Sequence, residues 1–243
     1  MNKRPLITTL ALLALPSLSN AATVLTPTDD SYSHNVDTVI HGAETIITNK
    51  YDIGGGVHVR IGYLKFDLSA YAGQTITSAQ LTLTAAGTSG AIPDNTAFTL
   101  YGLKGTAAGN DWSEDTLTGA DRPAGNGHGN HLDENDLYSG SASGLLSFNA
   151  SPADGGVFNI GAGNADLLSF LNATKELTTG NVVTFMFNLS SADNDNTMNW
   201  YTKEDVGIGS GSRGSTLSLA VPEPSSVALL GLGGIALIMR RRK

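Results

Sequence analysis

Residues 57–69, VHVRIGYLKFDLS, constrain the fold most strongly, because their apolar and polar side chains alternate with a period of two. Leu64 and Phe66 fall on one face of such a strand, and we expect them in the core. Tyr63 and Lys65 fall on the opposite face, which we expect to meet water or a partner. The pattern therefore predicts a β-strand with one buried and one open face.

Further segments extend this prediction to an all-β body. Strand-like apolar patterns recur at residues 75–87, 97–105, 181–190, 199–205 and 215–221. Clusters of glycine, asparagine and aspartate separate them at hairpin-like spacings. Only residues 164–176 have helical spacing, with Leu167 and Leu171 on one face. We expect one domain over residues 22–220, an antiparallel β-sandwich resembling a jelly roll, with one short helix. The glycine-rich segment 105–144 is expected to be a loop that is either functional or mobile.

The N-terminus predicts export. Residues 1–21 combine a basic start, an apolar run over residues 6–15, and small residues at Ser19 and Ala21. These features are typical of a secretory signal peptide that is cut after Ala21. The chain has no cysteine, so its stability outside the cytoplasm must come from an ordinary core or from bound ions.

The C-terminus predicts a second topological signal. An apolar, glycine-containing run at residues 227–239 is shorter than the roughly 20 residues of a usual membrane span. A block of basic residues follows it and should stay on the cytoplasmic side: Arg240, Arg241, Arg242 and Lys243. We therefore expect a single short transmembrane helix that stops transfer and leaves the body facing outward.

Residues 221–243 resemble the PEP-CTERM sorting signal. The resemblance rests on Val221, Pro222, Glu223 and Pro224, together with the apolar run and the basic tail. The two prolines also keep this segment extended, as a protease cleft requires. The resemblance implies processing by an exosortase at the inner membrane of a Gram-negative bacterium. It further implies release to the cell envelope or to an exopolysaccharide-rich biofilm matrix.

The body resembles the DNRLRE domain, or family 96 carbohydrate-binding module. The resemblance rests on YLKFDLSAYAGQTITSAQLTLT, on DWSEDTLTGADRPA, and on WYTKED before a closing strand. It departs from the family pattern at Thr118-Gly119 and at Ser215-Thr216-Leu217. The resemblance implies a β-sandwich that binds polysaccharide, with acidic, alginate-like glycans as ligands.

Sugar-binding sites combine aromatic faces with polar groups that bind hydroxyls, and an acidic glycan also needs cations. Candidate residues lie on two predicted strands: Tyr63, Lys65, Trp200, Tyr201 and Lys203. Arg60 and Arg122 are further candidate cations, and Trp112 and Tyr101 are further aromatics. In the alternative interpretation the tryptophans belong to the core, and the alternation of lysine with aspartate marks a solvated face.

Acidic clusters make bound Ca²⁺ a second hypothesis, because Ca²⁺ prefers 6–8 oxygen ligands. Asp193 and Asp195 form one cluster, Asp133 and Asp136 a second, and Asp29-Asp30 a third. None has the complete calcium-loop pattern, and acidic loops commonly just face water. His128 and His131, with Asp133, are a weaker candidate for zinc.

The charge and the motifs narrow the function classes. The formal net charge is −8, and the body is more negative still without its basic ends, so nucleic acid is not an expected partner. No catalytic constellation stands out; Glu114 and Asp115, near Trp112, are the most suggestive carboxylate pair. We predict a non-catalytic polysaccharide-binding protein. A structural or adhesive surface protein remains an alternative, and so does a polysaccharide lyase or hydrolase.

Overall fold

The computed structural model describes residues 22–34, 38–50, 59–89, 92–107, 109–125, 132–140, 143–190, 197–207 and 211–222. The β-structure occupies one compact unit, Ala22–Val221. Several predictions fall outside the described residues: the signal peptide, the transmembrane run, Glu223, Pro224, the basic tail, Asp193, Asp195, His128 and His131. Within the described ranges, no helix has the length and apolar character needed to cross a bilayer.

Thirteen strands and one α-helix make up the described part of the chain. The strands are β1 (Ala22–Leu25), β2 (Asp29–His34), β3 (Ile46–Lys50), β4 (Arg60–Asp67), β5 (Ser78–Ser89), β6 (Thr96–Gly102), β7 (Leu146–Ala150), β8 (Val157–Ile160), β9 (Val182–Leu189), β10 (Thr197–Tyr201), β11 (Val206–Gly207), β12 (Gly211–Ser212) and β13 (Thr216–Ala220). The helix is α1 (Ala165–Thr174). Short 3₁₀ turns occur at Ser69–Tyr71 and Thr179–Asn181.

The strands pair antiparallel in the order β1-β13-β5-β10-β3-β4-β9-β6-β7, with β2 on β4 and β8 on β5. The long strand β5 changes partners along its length. Its first half pairs with β13 and β8, and its second half, from Ala85 to Ser89, pairs with β10. The strands therefore form two layers joined through β5, which confirms the all-β, sandwich-like prediction with one short helix.

The core lies between these layers. Apolar residues of β4, β6 and β9 on one side meet Leu81, Leu83 and Leu217 on the other. Trp200 lies at the centre, with the rings of Phe98 at 5.3 Å and Phe187 at 5.9 Å in edge-to-face contacts. Such contacts add stabilisation to that of burial itself. The core interpretation of Trp200 is thus the one that the structure supports.

Helix α1 forms where its sequence pattern predicts it. The side chain of Asn164 caps the helix by accepting a hydrogen bond from the Leu167 amide at 2.8 Å. Leu167, Phe170 and Leu171 are buried against the core. A Cβ at Gly102 would lie 2.5 Å from the Phe170 ring, so the helix can approach β6 only because that position is glycine.

Residues 103–145 connect β6 to β7, and we call this segment the covering loop. Its described parts cover the outer face of the β4–β9 pair. Its Trp112, Leu117 and Leu137 pack with Ile61 and Met186 in a second apolar cluster. The Trp112 indole donates a hydrogen bond to Thr184 Oγ1 at 3.0 Å. The sequence predicted an open face on β4, and this prediction is wrong because the loop folds back over it.

Candidate functional site

A charged cluster joins the start of β2, the covering loop and the turn after β10. The main-chain N–H of Asp30 donates to Glu114 Oε2 at 3.0 Å, and Asp30 Oδ2 accepts from the Lys203 amide at 2.8 Å. These bonds connect three parts of the chain that are remote in sequence. We call Asp30, Glu114, Lys203 and Glu204 the Lys203 cluster.

The ammonium group of Lys203 lies among the three carboxylates of this cluster. It bonds Glu114 Oε2, lies 2.7 Å from Glu204 Oε1 and lies 3.7 Å from Asp30 Oδ1. Oxygen atoms of the three carboxylates all lie within 4.8 Å of one another, a spacing that could also suit a metal ion. Lys203 therefore supplies, from within the chain, the positive charge that such a group of carboxylates needs.

The ionisation of the cluster reflects its burial. Burial raises the pKa of Asp30 to about 7, because the charged form loses its hydration, and the negative charge of Glu204 adds to the rise. Burial alone would lower the pKa of Lys203, but its bonds to Glu114 and Glu204 raise it. Burial alone would raise the pKa of Glu204, but its bond from Lys203 lowers it. The cluster thus holds more negative charge than one lysine neutralises.

The predicted calcium ligands lie in different surroundings. Asp133 Oδ1 accepts hydrogen bonds from the amide and the side chain of Asn135, at 2.9 and 2.8 Å, and so stabilises a turn of the covering loop. In the described ranges, neither Asp133 nor Asp136 belongs to a group of three potential metal ligands. Of the predicted calcium ligands that the structure describes, only Asp30 belongs to such a group. The sequence analysis named Asp30 as a calcium candidate and Glu114 as part of a carboxylate pair. It could not predict that both lie close to Glu204, because that depends on long-range pairing.

The structure buries two of the predicted sugar ligands beneath the covering loop. Tyr63 is 0% exposed, and its hydroxyl donates to the Pro123 carbonyl at 3.2 Å. Lys65 is 8% exposed; its ammonium bonds the Trp112 carbonyl and lies 4.9 Å from the centre of the Trp112 ring. Asp29 Oδ2 lies 3.6 Å from the same ammonium. Tyr63 therefore offers no stacking face, whereas Lys65 lies in the wall of a cleft.

That cleft, the Lys65 cleft, has a volume of about 470 Å³ and opens between the covering loop and the turn before β9. Its polar lining includes Lys65, Thr106, Asn110, Asp111, Thr178 and Thr179. The Asn110 amide donates to the carbonyls of Lys104 and Ala107, at 2.7 and 3.2 Å. Its Oδ1 atom is buried and accepts no hydrogen bond from the residues that the structure describes. The lining thus combines threonine hydroxyl groups, the carboxylate of Asp111 and one cation.

Trp200 and Tyr201 are neighbours in β10 with opposite environments. Trp200 is 0% exposed in the core, whereas Tyr201 is partly exposed at the surface. The guanidinium of Arg213 stacks on the Tyr201 ring at 3.6 Å, and the Tyr201 hydroxyl donates to Asp154 Oδ1 at 2.7 Å. Arg213 also donates to both oxygens of Asp205, at 2.8 and 3.1 Å. We call these four surface residues the Tyr201 patch.

The five predicted sugar ligands therefore do not share one surface. Strand β3 separates β4 from β10, so the pairs Tyr63–Lys65 and Tyr201–Lys203 do not lie side by side. Sequence reasoning missed Asn110 and Arg213. Arg213 is a lone cation in a glycine-serine segment, and a search for isolated basic residues beside strand ends could have found it.

Comparison with known proteins confirms both resemblances. Residues 21–133 match the model of carbohydrate-binding module family 96. Residues 220–243 match the PEP-CTERM protein-sorting motif. No curated protein matches the chain. The family 96 match includes β1–β6, Lys65 and the part of the covering loop that carries Asn110, but it ends before β7 and the Tyr201 patch.

Proposed function

We propose that this protein is exported, is processed through its C-terminal sorting motif, and binds polysaccharide without cleaving it. The observation that carries the proposal is the match of residues 21–133 to a carbohydrate-binding module. The sorting-motif match over residues 220–243 supports export and transient anchoring in the inner membrane. The final location that we propose is the cell envelope or a biofilm matrix, and the processing enzyme is an exosortase.

The Lys65 cleft is the place where we propose that sugar binds. It is concave, one of its walls, with Lys65 and Asn110, belongs to the region matched by the family model, and its lining can both donate to and accept from sugar hydroxyls. Lys65 supplies one positive charge that an acidic sugar could use, although Asp29 lies 3.6 Å from it. Tyr63 and Trp200 are proposed to act only by packing.

We propose that the protein does not cleave the polysaccharide that it binds. Asp30, whose raised pKa would suit a general acid, is fully buried behind Lys203 and Glu114. A catalytic carboxyl must reach the substrate directly or through one water molecule. Release of oligosaccharide from any glycan by the purified protein would contradict this part and would favour a lyase or hydrolase.

Affinity electrophoresis on gels containing acidic and neutral polysaccharides tests the binding. We expect retardation of the wild-type protein on acidic glycans such as alginate. Thr179→Phe should abolish it, because the larger side chain fills the cleft. Asp111→Asn should strengthen it, because the change removes a negative charge near the bound glycan.

Asp115→Asn is the matched control, since Asp115 is an exposed aspartate of the covering loop that does not line the cleft. Loss of retardation in Tyr201→Ala or Arg213→Ala, with Thr179→Phe unaffected, would instead locate binding at the Tyr201 patch. If no variant and no glycan on a broad panel shows retardation, the structural or adhesive alternative is favoured.

The sorting step has a separate test. The mass of the mature protein from its native host should lack the basic tail Arg240–Lys243. Changing Pro222 and Pro224 to alanine should preserve the tail, because a helix-compatible segment no longer presents an extended backbone to the protease. An intact tail on the wild-type mature protein would contradict the processing proposal.

A further inference from the structure

Another concave surface lies between helix α1 and the segment that precedes β5. It has a volume of about 530 Å³, and we call it the α1 groove. Its lining includes residues 73–75 and, from α1, Leu168, Ser169 and Asn172. Residues 73–75 and Ser169 are exposed, so a ligand can reach the α1 groove directly from solvent.

Side-chain hydrogen bonds hold the two parts of the α1 groove together. Asn172 Oδ1 accepts from the Ile76 amide at 2.8 Å, and Asn172 Nδ2 donates to the Ile76 carbonyl at 2.9 Å. Glu176 Oε1 accepts from the Gly73 amide at 2.9 Å and also pairs with the ammonium group of Lys175. The α1 groove is therefore formed before any ligand binds.

The α1 groove offers groups that suit the uncharged parts of a sugar. The hydroxyl groups of Thr75 and Ser169 can donate and accept hydrogen bonds, and Leu168 supplies an apolar surface. Lys175 and Glu176 also line the groove, but they pair with each other. The bond from Lys175 lowers the pKa of Glu176, so the carboxylate stays ionised and balances the ammonium group. The lining therefore favours hydroxyl and C–H groups over a charged group.

The α1 groove and the Lys65 cleft meet at one turn of the chain. Lys175 and Glu176 line the groove, and the next residues, 177–179, line the cleft. Because consecutive Cα atoms lie about 3.8 Å apart, the two cavities adjoin here. Leu177 is 60% exposed at this junction. A Cβ at Gly105 would lie 2.7 Å from the Leu177 Cβ, so the turn also packs closely against the covering loop.

Hydrogen bonds within this turn fix the two cavities relative to each other. The Thr178 hydroxyl donates to the Val182 carbonyl at 2.6 Å. The Asn181 side chain donates to the Lys175 carbonyl at 2.8 Å. The turn thus connects α1 to β9 in a defined conformation, and both cavities are present in the same molecule at the same time.

We propose that the α1 groove extends the Lys65 cleft, so that the protein binds a stretch of polysaccharide several sugars long. This extension rests on the proposed function, because it requires a glycan in the Lys65 cleft. A glycan that continues beyond the cleft crosses the exposed side chain of Leu177, whose apolar surface contacts sugar C–H groups. It then reaches the hydroxyl groups of Thr75 and Ser169 in the α1 groove.

Isothermal titration calorimetry of the full chain with oligouronates of increasing length tests the extension. The wild-type protein should bind a hexasaccharide at least about tenfold more tightly than a disaccharide, because the second contact forms within one complex. Ser169→Trp and Thr75→Trp, which fill the α1 groove, should bind the hexasaccharide no more tightly than the disaccharide. Both variants should keep the wild-type affinity for the disaccharide, which also shows that they fold.

Ser147→Trp is the matched control, since Ser147 is an exposed serine of β7 that lines neither cavity. It should keep the wild-type dependence on chain length. A wild-type affinity that does not rise with chain length overturns the extension alone, and so does an equal rise in wild type and both groove variants. If no oligouronate of any length binds, the proposed function fails together with the extension.

Discussion

The ammonium group of Lys203 neutralises a group of carboxylates in the way that a bound cation would. Its ammonium lies among Asp30, Glu114 and Glu204, which come from three separate segments. The lysine is tethered to the chain, so it loses no translational freedom when it neutralises them. A protein without cysteines gains in this way a cross-link between distant segments.

The buried carboxyl of Asp30 should make stability depend on pH. Its pKa is about 7 in the folded protein against 3.8 ordinarily, so between these values the folded state holds a proton that the unfolded state releases. Stability must then fall as the pH rises through this window and level off above it. The fall should be a few kcal/mol, at about 1.4 kcal/mol per pKa unit. Asp30→Asn should remove this part of the fall.

Urea unfolding of wild type and Asp30→Asn at pH values from 4 to 8 measures the difference. Asp115→Asn, an exposed change, serves as the control and should follow the wild-type curve. A fall of equal size in Asp30→Asn and wild type would contradict the assignment.

Replacing Lys203 by glutamine should leave three carboxylates without a cation. We expect a loss of about 2–4 kcal/mol in the free energy of unfolding, because breaking a largely buried pair leaves charge uncompensated. Ca²⁺ should restore part of this loss, since the three carboxylates are already close together. Unfolding in Ca²⁺ and in chelator measures the effect.

Lys104→Gln is the matched control, because Lys104 donates to a backbone carbonyl and not to a carboxylate. A Ca²⁺ response of equal size in the two variants would argue against a vacated cation site. A loss without any Ca²⁺ response would show that the carboxylates separate or take up protons instead.

The placement of Tyr63 and Lys65 could be predicted only in part. Their alternation with Leu64 and Phe66 correctly gave two faces of a strand. Whether the second face meets water depends on the covering loop, whose many glycines and acids have no strand or helix period. The sequence could not show that β3 lies between their strand and the strand of Tyr201. Strand order depends on long-range pairing, which a local pattern does not reveal.

At the scale of elements, the covering loop acts as a third layer over the sheet. Its Trp112 bonds Thr184, meets the Tyr63 ring edge-on at 5.8 Å and lies against Lys65. The loop therefore gives β4 and β9 a second apolar contact besides the core. It also forms one wall of the Lys65 cleft.

Trp112 variants should separate packing from hydrogen bonding in this layer. Trp112→Ala should lower the free energy of unfolding by about 3–5 kcal/mol, because it leaves a large cavity. Trp112→Phe should cost less, about 1–2 kcal/mol, because it keeps most of the packing but loses the bond to Thr184. Chemical unfolding together with limited proteolysis of the loop provides the measurement. Equal losses in the two variants would mean that the hydrogen bond, and not packing, holds the loop.

Element prediction succeeded where apolar residues alternate and failed where buried strands are polar. Strands β4, β6, β9, β10 and β13 lie where the patterns indicated. Strand β2, with the sequence DDSYSH, is almost wholly buried, yet it carries only one large apolar side chain. Some of its polar groups bond other segments, as the bond from the Lys203 amide to Asp30 illustrates, and no local pattern reveals such partners.

At the scale of the whole molecule, the two ends of the β-body are paired. Strand β1 runs antiparallel to β13, with Ala22 opposite Ala220 and Leu25 opposite Leu217. The first residue after the predicted signal peptide thus lies beside the last strand before the sorting motif. The two ends of the β-body therefore lie on neighbouring strands at one edge of the sheet.

A fragment covering residues 22–221 should fold without the two terminal signals, because the core residues all lie within it. Removing residues 22–25 as well should retain the fold but expose the edge of β13, which favours association between molecules. Circular dichroism and size-exclusion chromatography compare the two fragments. An unfolded 22–221 fragment would contradict a self-sufficient body, and a monomeric shorter fragment would argue against edge pairing.

The position of β13 also has a mechanical consequence. A tether attached at its C-terminal end would pull on a strand that is hydrogen-bonded on both sides, to β1 and to β5. Tension would then be shared between two rows of backbone bonds instead of peeling a lone edge strand. A surface protein held by this end could bear load at its attachment point while the rest of the fold stays relaxed.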